Sequence, residues 1–207
     1  MITFEVAVAP VSFQATSTRK AAILSAVRAI VSQCHYLLGG DLKLVIKWGI
    51  SERARYESDS AADVDNIVKP ILDALSGPEG IMIDDCQVQE LICYWSGGYD
   101  HPVQQHIAIE VGFDPDAWFS KTGLIFLEID RGLYLPMDGE LPTSIVLDQA
   151  QHFIERFEAA RRMIGSGASP YQAHLTLPIQ RVFHRSKIGT FRITTLEELR
   201  NSSSKED

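Results

Sequence analysis

The residues best suited to chemistry in this chain are concentrated in one short segment. Within residues 63–88, one lysine, Lys69, is surrounded by five aspartates: Asp63, Asp65, Asp73, Asp84 and Asp85. Hard divalent cations such as Mg²⁺ take oxygen ligands and lie between protein carboxylates and substrate phosphates. The segment therefore has the composition of a metal-dependent site that cleaves phosphodiester bonds.

A helix is expected to carry several of these groups. Apolar residues at helical spacing predict it over about residues 65–76: Ile67, Ile71, Leu72 and Leu75. Asp65 fits the N-cap position, and Pro70 is expected to distort the first turn because it removes a helix hydrogen bond. Lys69 then lies one turn after Asp65, where an ion pair with Asp73, four residues further on, would hold it.

The ends of this segment decide which carboxylates can converge. Asp63 and Asp65 flank the positive N-terminal end of the helix, where anions are favoured. Adjacent residues point in different directions, so Asp85 rather than Asp84 is expected to join them. An isolated D-x-D is more often a helix cap with a neighbouring surface acid, and Lys69 could be only an ion-pair partner. Asn66 and Gln87 are interpreted as residues that bind backbone.

The pattern along the rest of residues 1–113 predicts the order β-α-β-α-β-β, an α+β fold. A strand near Phe4 and Val6 precedes a helix over about residues 18–34 and a strand over 42–50. Glu57 to Ala62 is expected to be a loop, and Ile81 to Ile83 a short strand. Residues 87–95 and 105–111 are expected to form a hairpin across Gly97-Gly98.

Residues 114–207 are expected to form a separate α/β extension. It should contain a strand over about residues 124–129 and a helix from about Ser144. The stripe of that helix is Val146, Ala150, Phe153, Phe157, Ala160 and Ile164, which suits either an ordinary core or a dimer surface. A polar tail from about Asn201 to Asp207 is expected to be disordered.

Composition limits the classes of protein to consider. The chain has 207 residues and a net charge of -8, with a sequence pI near 5.2. This balance argues against binding through a broad basic surface, although metal ions would cancel negative charge locally. The sequence has no apolar run long enough to span a bilayer and no secretory signal, and its three cysteines are expected to be free thiols. A cytoplasmic location is therefore expected.

The motif resembles one protein family in particular. The residues are Asp63-Val64-Asp65-Asn66, Lys69, Asp73-Ala74-Leu75 and Asp84-Asp85-Cys86-Gln87-Val88. They match the pattern D-[LIV]-D-N-x-x-K-x-x-x-D-A-L, a turn, and D-D-x-Q-[VI] of the RusA-like Holliday-junction resolvases, which are crossover junction endodeoxyribonucleases. The resemblance covers the motif residue by residue, and the predicted order of strands and helices over about residues 1–113 is compatible with it. It implies a small mixed sheet with two helices packed on it.

The resemblance also implies an activity and a set of roles. The chain would be a Mg²⁺-dependent, structure-selective endodeoxyribonuclease, with Mn²⁺ as a possible substitute, acting as a homodimer on branched DNA in recombination and repair. Asp63, Asp65 and Asp85 would bind the metal, with Asp84 as a further candidate, and Lys69 would contact the scissile phosphate. Hydrolysis would use water activated by one or two metal ions.

The chain departs from the family in its positive charge. Some members carry arginines just before the first aspartate, whereas residues 57–62 here are acidic or neutral. Basic residues elsewhere are the candidates for contacts with DNA: Lys43, Lys47, Arg181, Arg185, Lys187 and Arg192.

Two other functions stay open at the level of sequence. D-x-D also grips metal and nucleotide in glycosyltransferases, but about 60 residues before Asp63 leave little room for a nucleotide-binding domain. Alternatively, a non-catalytic protein of this fold would bind DNA or a protein partner through residues 114–207.

Overall fold

The computed structural model describes residues 1–7, 16–57, 63–97, 106–177 and 181–203. The side chains of Ser17, Arg19, Lys20, Asp65, Ser202 and Ser203 are not among those described. The chain divides into two compact units, residues 1–115 and residues 116–207.

The first unit contains the segment with the aspartates. Its strands are β1 (Ile2–Val6), β2 (Tyr36–Leu38), β3 (Leu42–Gly49), β4 (Val88–Ser96) and β5 (His106–Phe113). Its helices are α1 (Ser17–Val31), α2 (Glu52–Tyr56) and α3 (Val64–Leu75), and a 3-10 turn spans Asp85–Gln87. Together they form the α+β fold that the sequence predicts.

Four of these strands form one mixed sheet in the order β1-β5-β3-β4. Strand β3 is parallel to β4, with Trp48 beside Trp95, and antiparallel to β5, with Leu44 beside Val111. The predicted hairpin of residues 87–95 with 105–111 is therefore wrong, since β3 lies between β4 and β5. Parallel strands need a crossover, which α2 and α3 supply between β3 and β4.

Helices α1 and α3 pack on the sheet through one continuous core. From α1 this core takes Ile23, Val27 and Val31, and from α3 it takes Ile71 and Leu75. The sheet contributes alternate residues of its strands: Phe4, Leu44, Ile46, Ile109 and Val111. Because the apolar stripe of α3 faces the sheet, Lys69 and Asp73 are left on its exposed side.

Several local predictions need correction. Helix α3 begins at Val64 with Asp63 at its N-cap position, so Asp65 lies inside the helix and is not the cap. The helix continues through Pro70, which is buried in its middle. Helix α2 was not predicted, and residues 58–62 of the expected loop lie outside the described residues. Residues 81–83 make only isolated bridges, from Met82 to Leu38 and Ser76.

The second unit forms around a second mixed sheet. The strands of the second unit are β6 (Trp118–Ser120), which lies outside this sheet, β7 (Leu124–Asp130), β8 (Leu133–Asp138), β9 (Phe183–His184) and β10 (Ile193–Thr194). Its helices are α4 (Thr143–Gly165), α5 (Pro170–His174) and α6 (Leu196–Ser203), with a 3-10 turn at Arg185–Lys187. The sheet order is β10-β7-β8-β9.

The predicted stripe of α4 serves mainly as core. Val146, Ala150 and Phe153 are buried against β7 and β8, whereas Ile164 at the end is 46% exposed. Helix α6 includes residues 201–203, so the prediction of a disordered tail is wrong for these residues, and residues 204–207 lie outside the described part.

Two further features concern the chain as a whole. Among the helices in the described residues, none combines the length and the apolar character that crossing a bilayer requires. Cys34, Cys86 and Cys93 form no disulfide within the described residues, and all three are partly and not fully buried.

The turn after α3 gives a first prediction. A Cβ at Gly80 would collide with the backbone carbonyl of Leu75, whereas a Cβ at Gly112 would make an ordinary contact with Lys43. We expect Gly80→Ala to lower the free energy of unfolding by about 1–3 kcal/mol, because the backbone must shift. Gly112→Ala is the matched control, and urea denaturation measures both. Equal stability of the two variants would contradict the prediction.

Candidate active site

The segment that carries Asp84 and Asp85 is held in place by a buried glutamine. Gln87 is fully buried, and its amide oxygen accepts hydrogen bonds from the backbone N–H groups of Ile83 (2.7 Å) and Asp84 (3.1 Å). Its amide nitrogen donates to the backbone carbonyls of Leu38 (2.9 Å) and Gly40 (2.8 Å). One side chain thus ties the acidic turn to the chain between β2 and β3, in agreement with its interpretation as a backbone-binding residue.

The two adjacent aspartates of this turn have different partners. One carboxylate oxygen of Asp84 accepts a hydrogen bond from the backbone N–H of Cys86 at 3.0 Å and so caps the 3-10 turn. The carboxylate of Asp85 instead faces α3, where it accepts a hydrogen bond from Lys69. The structure therefore brings Asp85 to the helix, as the sequence predicts, and gives Asp84 a role in capping.

Lys69 is held between two carboxylates. Its Nζ lies 2.8 Å from Asp73 Oδ1, one turn later on α3, and 2.8 Å from Asp85 Oδ2. The hydrogen bond to Asp73, followed by that to Asp85, raises the pKa of Lys69 above its ordinary value of 10.5. Lys69 therefore stays charged at neutral pH, and the predicted pairing of Lys69 with Asp73 is present.

The remaining candidates lie at the start of α3. Asp63 occupies the N-cap position and is exposed, and its carboxylate accepts no capping hydrogen bond. Asp65 lies in the first turn of the helix, four residues before Lys69, but its side chain is outside those described. Asn66 donates its backbone N–H to the Asp63 carbonyl at 3.1 Å.

The donor groups suit a hard cation chemically, because carboxylate oxygens are the ligands that Mg²⁺ prefers. Among the side chains that the structure describes, no three His, Cys, Asp or Glu residues form a group able to hold a metal ion. Asp63, without a capping bond, and Asp85, 28% exposed beside Lys69, are the described carboxylates that suit such a role.

The candidate DNA contacts are spread over both units. Lys43 on β3 is paired with Glu90 on β4 at 2.7 Å, so its charge is neutralised, and Lys47 lies on the same face of the sheet. In the second unit, Arg185, Lys187 and Arg192 are exposed and Arg181 is partly buried. Arg185 also donates to the Gly189 carbonyl at 3.3 Å.

A group that the sequence analysis missed lies beside the start of α3. The guanidinium of Arg55 on α2 stacks on the ring of Trp95 on β4, with 3.7 Å from Cζ to the ring centroid. Tyr56 contacts the same Trp95 ring edge to face. No periodic pattern could reveal this contact, because α2 and β4 are about 40 residues apart.

Comparison with known proteins gives a match within the first unit. Residues 17–111, from the start of α1 into β5, match the family model of endodeoxyribonuclease RusA. Over these residues the chain is similar to the RusA family. The RusA match includes every residue of the Asp63 to Val88 motif and ends before β6. No match was found among curated proteins.

The Lys69 pairing in the RusA segment gives a second prediction. We expect Asp73→Asn to lower the pKa of Lys69 toward 10.5, because the neutral amide removes its largest stabilising partner. A lysine whose pKa is higher in the folded than in the unfolded protein stabilises the fold. This stabilisation is fully present below the pKa of the unfolded state, about 10.4, and is lost as the pH rises above it. The stability advantage from Lys69 titration should therefore fade only in strongly alkaline solution.

The measurement is an NMR titration of the Lys69 side chain, with Glu90→Gln beside Lys43 as the control. An unchanged Lys69 pKa in Asp73→Asn would contradict the pairing.

The Gln87 anchor gives a third prediction. Gln87→Ala leaves four backbone groups without their partner, and we expect it to lower the free energy of unfolding by about 3 kcal/mol or more. Gln89→Ala, two residues later at the start of β4 and exposed, is expected to change it by less than about 0.5 kcal/mol. Urea denaturation monitored by tryptophan fluorescence measures both, and similar losses for the two variants would rule out the anchor.

Proposed function

We propose that this protein is a Mg²⁺-dependent, structure-selective endodeoxyribonuclease that hydrolyses phosphodiester bonds in Holliday junctions or other branched DNA. The RusA match supports an endodeoxyribonuclease of the junction-resolving kind. The observation that carries the finer proposal is the Lys69 to Asp85 contact at 2.8 Å, which joins the two halves of the motif across the fold.

Asp63, Asp65 and Asp85 are the proposed metal ligands, and Asp84 keeps its capping role. Mg²⁺ in such a site supplies activation of water and neutralisation of the phosphate and the leaving oxygen. Mn²⁺ takes the same carboxylate ligands and is expected to substitute for it.

Lys69 is proposed to bind the scissile phosphate. Since its raised pKa keeps it protonated, it cannot serve as a general base at neutral pH and acts instead as a fixed positive charge. Its two anchors suit this role: with Asp85 as a metal ligand, Asp73 would still hold the ammonium group of Lys69. The charge is then positioned before the substrate arrives, which lowers the cost of stabilising the transition state.

The proposal includes a homodimer. A four-way junction has two-fold symmetry, and a closed dimer with one site per protomer would cut two strands related by that symmetry. The support for this part is the RusA match alone.

A cleavage assay tests the function. A labelled four-way junction and a matched linear duplex are incubated with the protein in Mg²⁺ or EDTA. We expect Mg²⁺-dependent nicking of the junction, with a loss of at least about 100-fold in Asp65→Asn and Asp85→Asn because a ligand carboxylate is removed. Asp148→Asn, on the exposed face of α4, should behave as the wild type.

The opposite result favours the second candidate. The exposed Arg185, Lys187 and Arg192 suit a non-catalytic protein that binds DNA through its second unit. Junction binding without cleavage, lost on replacing these three residues by serine, would contradict the nuclease proposal.

A further inference from the structure

Arg55, Tyr56 and Trp95 form a compact cluster, here called the aromatic platform. The Arg55 guanidinium lies 3.7 Å from the centroid of Trp95 and 5.7 Å from that of Tyr56. The Tyr56 and Trp95 centroids are 5.7 Å apart, with an interplanar angle of 82°. Each member contacts the other two, so the three groups hold one another in position.

The platform adjoins the start of the helix that carries the proposed metal ligands. Trp95 and Ala54 pack on a buried cluster of Trp48, Ile50 and Ile67. Ile67 lies on α3 only four residues after Asp63, which is about 6 Å along the helix axis. A DNA strand lying across the start of α3 would therefore pass close to the platform.

The platform also carries a positive charge. On α2, Arg53 is paired with Glu57 at 3.0 Å. Arg55 has no ion pair with any described residue, and its buried Nη1 has no hydrogen-bond acceptor there. In a chain of net charge -8, a guanidinium that has no ion pair among the described residues and lies near α3 is a local attraction for phosphate.

Tyr56 is the most exposed member of the platform. The residue is 69% exposed, although tyrosine usually buries much of its ring surface. Exposed aromatic rings held by neighbours are the surfaces on which nucleobases stack, and an arginine beside them adds a cation–π contribution. At a branch point, bases lose part of their stacking, so the cost of placing one on a protein ring is reduced.

We propose that the aromatic platform binds an unstacked nucleobase next to the branch point of a DNA substrate, with Tyr56 as the stacking surface and Arg55 and Trp95 as its positioning residues. This inference rests on the proposed function for its substrate class. Residues outside the Asp63 to Val88 motif would then contribute to the selectivity for branched over linear DNA.

The experiment measures binding separately from cleavage. Fluorescence anisotropy gives the affinity of the full chain for a four-way junction and for a linear duplex of the same sequence, in EDTA and in Ca²⁺. We expect Tyr56→Ala to weaken junction binding by about 5- to 150-fold, the loss of one stacked base, and to leave duplex binding within about twofold. Tyr56→Phe keeps the ring and should bind the junction as the wild type does.

Tyr94→Ala is the matched control. Tyr94 is 42% exposed on the same strand but points to the other face of the sheet from Trp95, beside Lys47. Its loss should leave both affinities unchanged, and thermal unfolding checks that every variant is folded. In addition, 2-aminopurine at the branch should be quenched on binding the wild type and Tyr56→Phe, but not Tyr56→Ala.

The outcomes separate this inference from the proposed function. Tyr56→Ala binding the junction within twofold of the wild type overturns the platform, and this is also the result if the cluster contacts a protein. An equal loss on junction and duplex overturns base stacking in favour of general backbone contact. Binding that depends on Tyr56 without cleavage in Mg²⁺ supports the platform and contradicts the nuclease. No binding of either DNA overturns both.

Discussion

The position of the acidic turn depends on the four hydrogen bonds of the Gln87 amide. Segments at residues 38–40 and 83–84 are distant in sequence, and each leaves backbone groups that would otherwise be buried without partners. A fully buried polar side chain is tolerated only when its hydrogen bonds are made, and here one amide uses both ends. Because this anchor holds the turn in place, the Asp85 carboxylate faces α3 while that of Asp84 caps the turn.

The contact of Lys69 with both Asp73 and Asp85 depends on that anchor. Asp73 reaches Lys69 from within α3, a contact that helical spacing alone provides, but Asp85 reaches it only because the turn is fixed beside the helix. The two carboxylates keep Lys69 charged and fix its orientation. All three side chains are partly exposed, and an ion pair in such a position contributes little to the free energy of unfolding. The value of the arrangement therefore lies in placing a charge and not in folding energy.

The two units divide the properties of the protein. The RusA segment holds the acidic motif and the aromatic platform, while the second unit has its own sheet and core and the exposed basic residues. The total charge does not show which basic side chains are neutralised: Lys43 and Arg53 are paired with neighbouring glutamates, whereas no ion pair of Arg55 is present within the described residues. Electrostatic arguments for such a chain are better made from pairs of residues than from its total charge.

Sequence alone determined the α+β class, the helix that carries Lys69, its pairing with Asp73 and the choice of Asp85 over Asp84, since these follow from periodicity and from short spacings. It placed the N-cap two residues late and joined β4 and β5 in a hairpin. A glycine turn signal cannot reveal that β3 will lie between those strands. Tertiary structure decided the strand order, the Gln87 anchor and the stacking of Arg55 on Trp95. These depend on contacts between distant segments, whose energies appear only once the chain has brought them together.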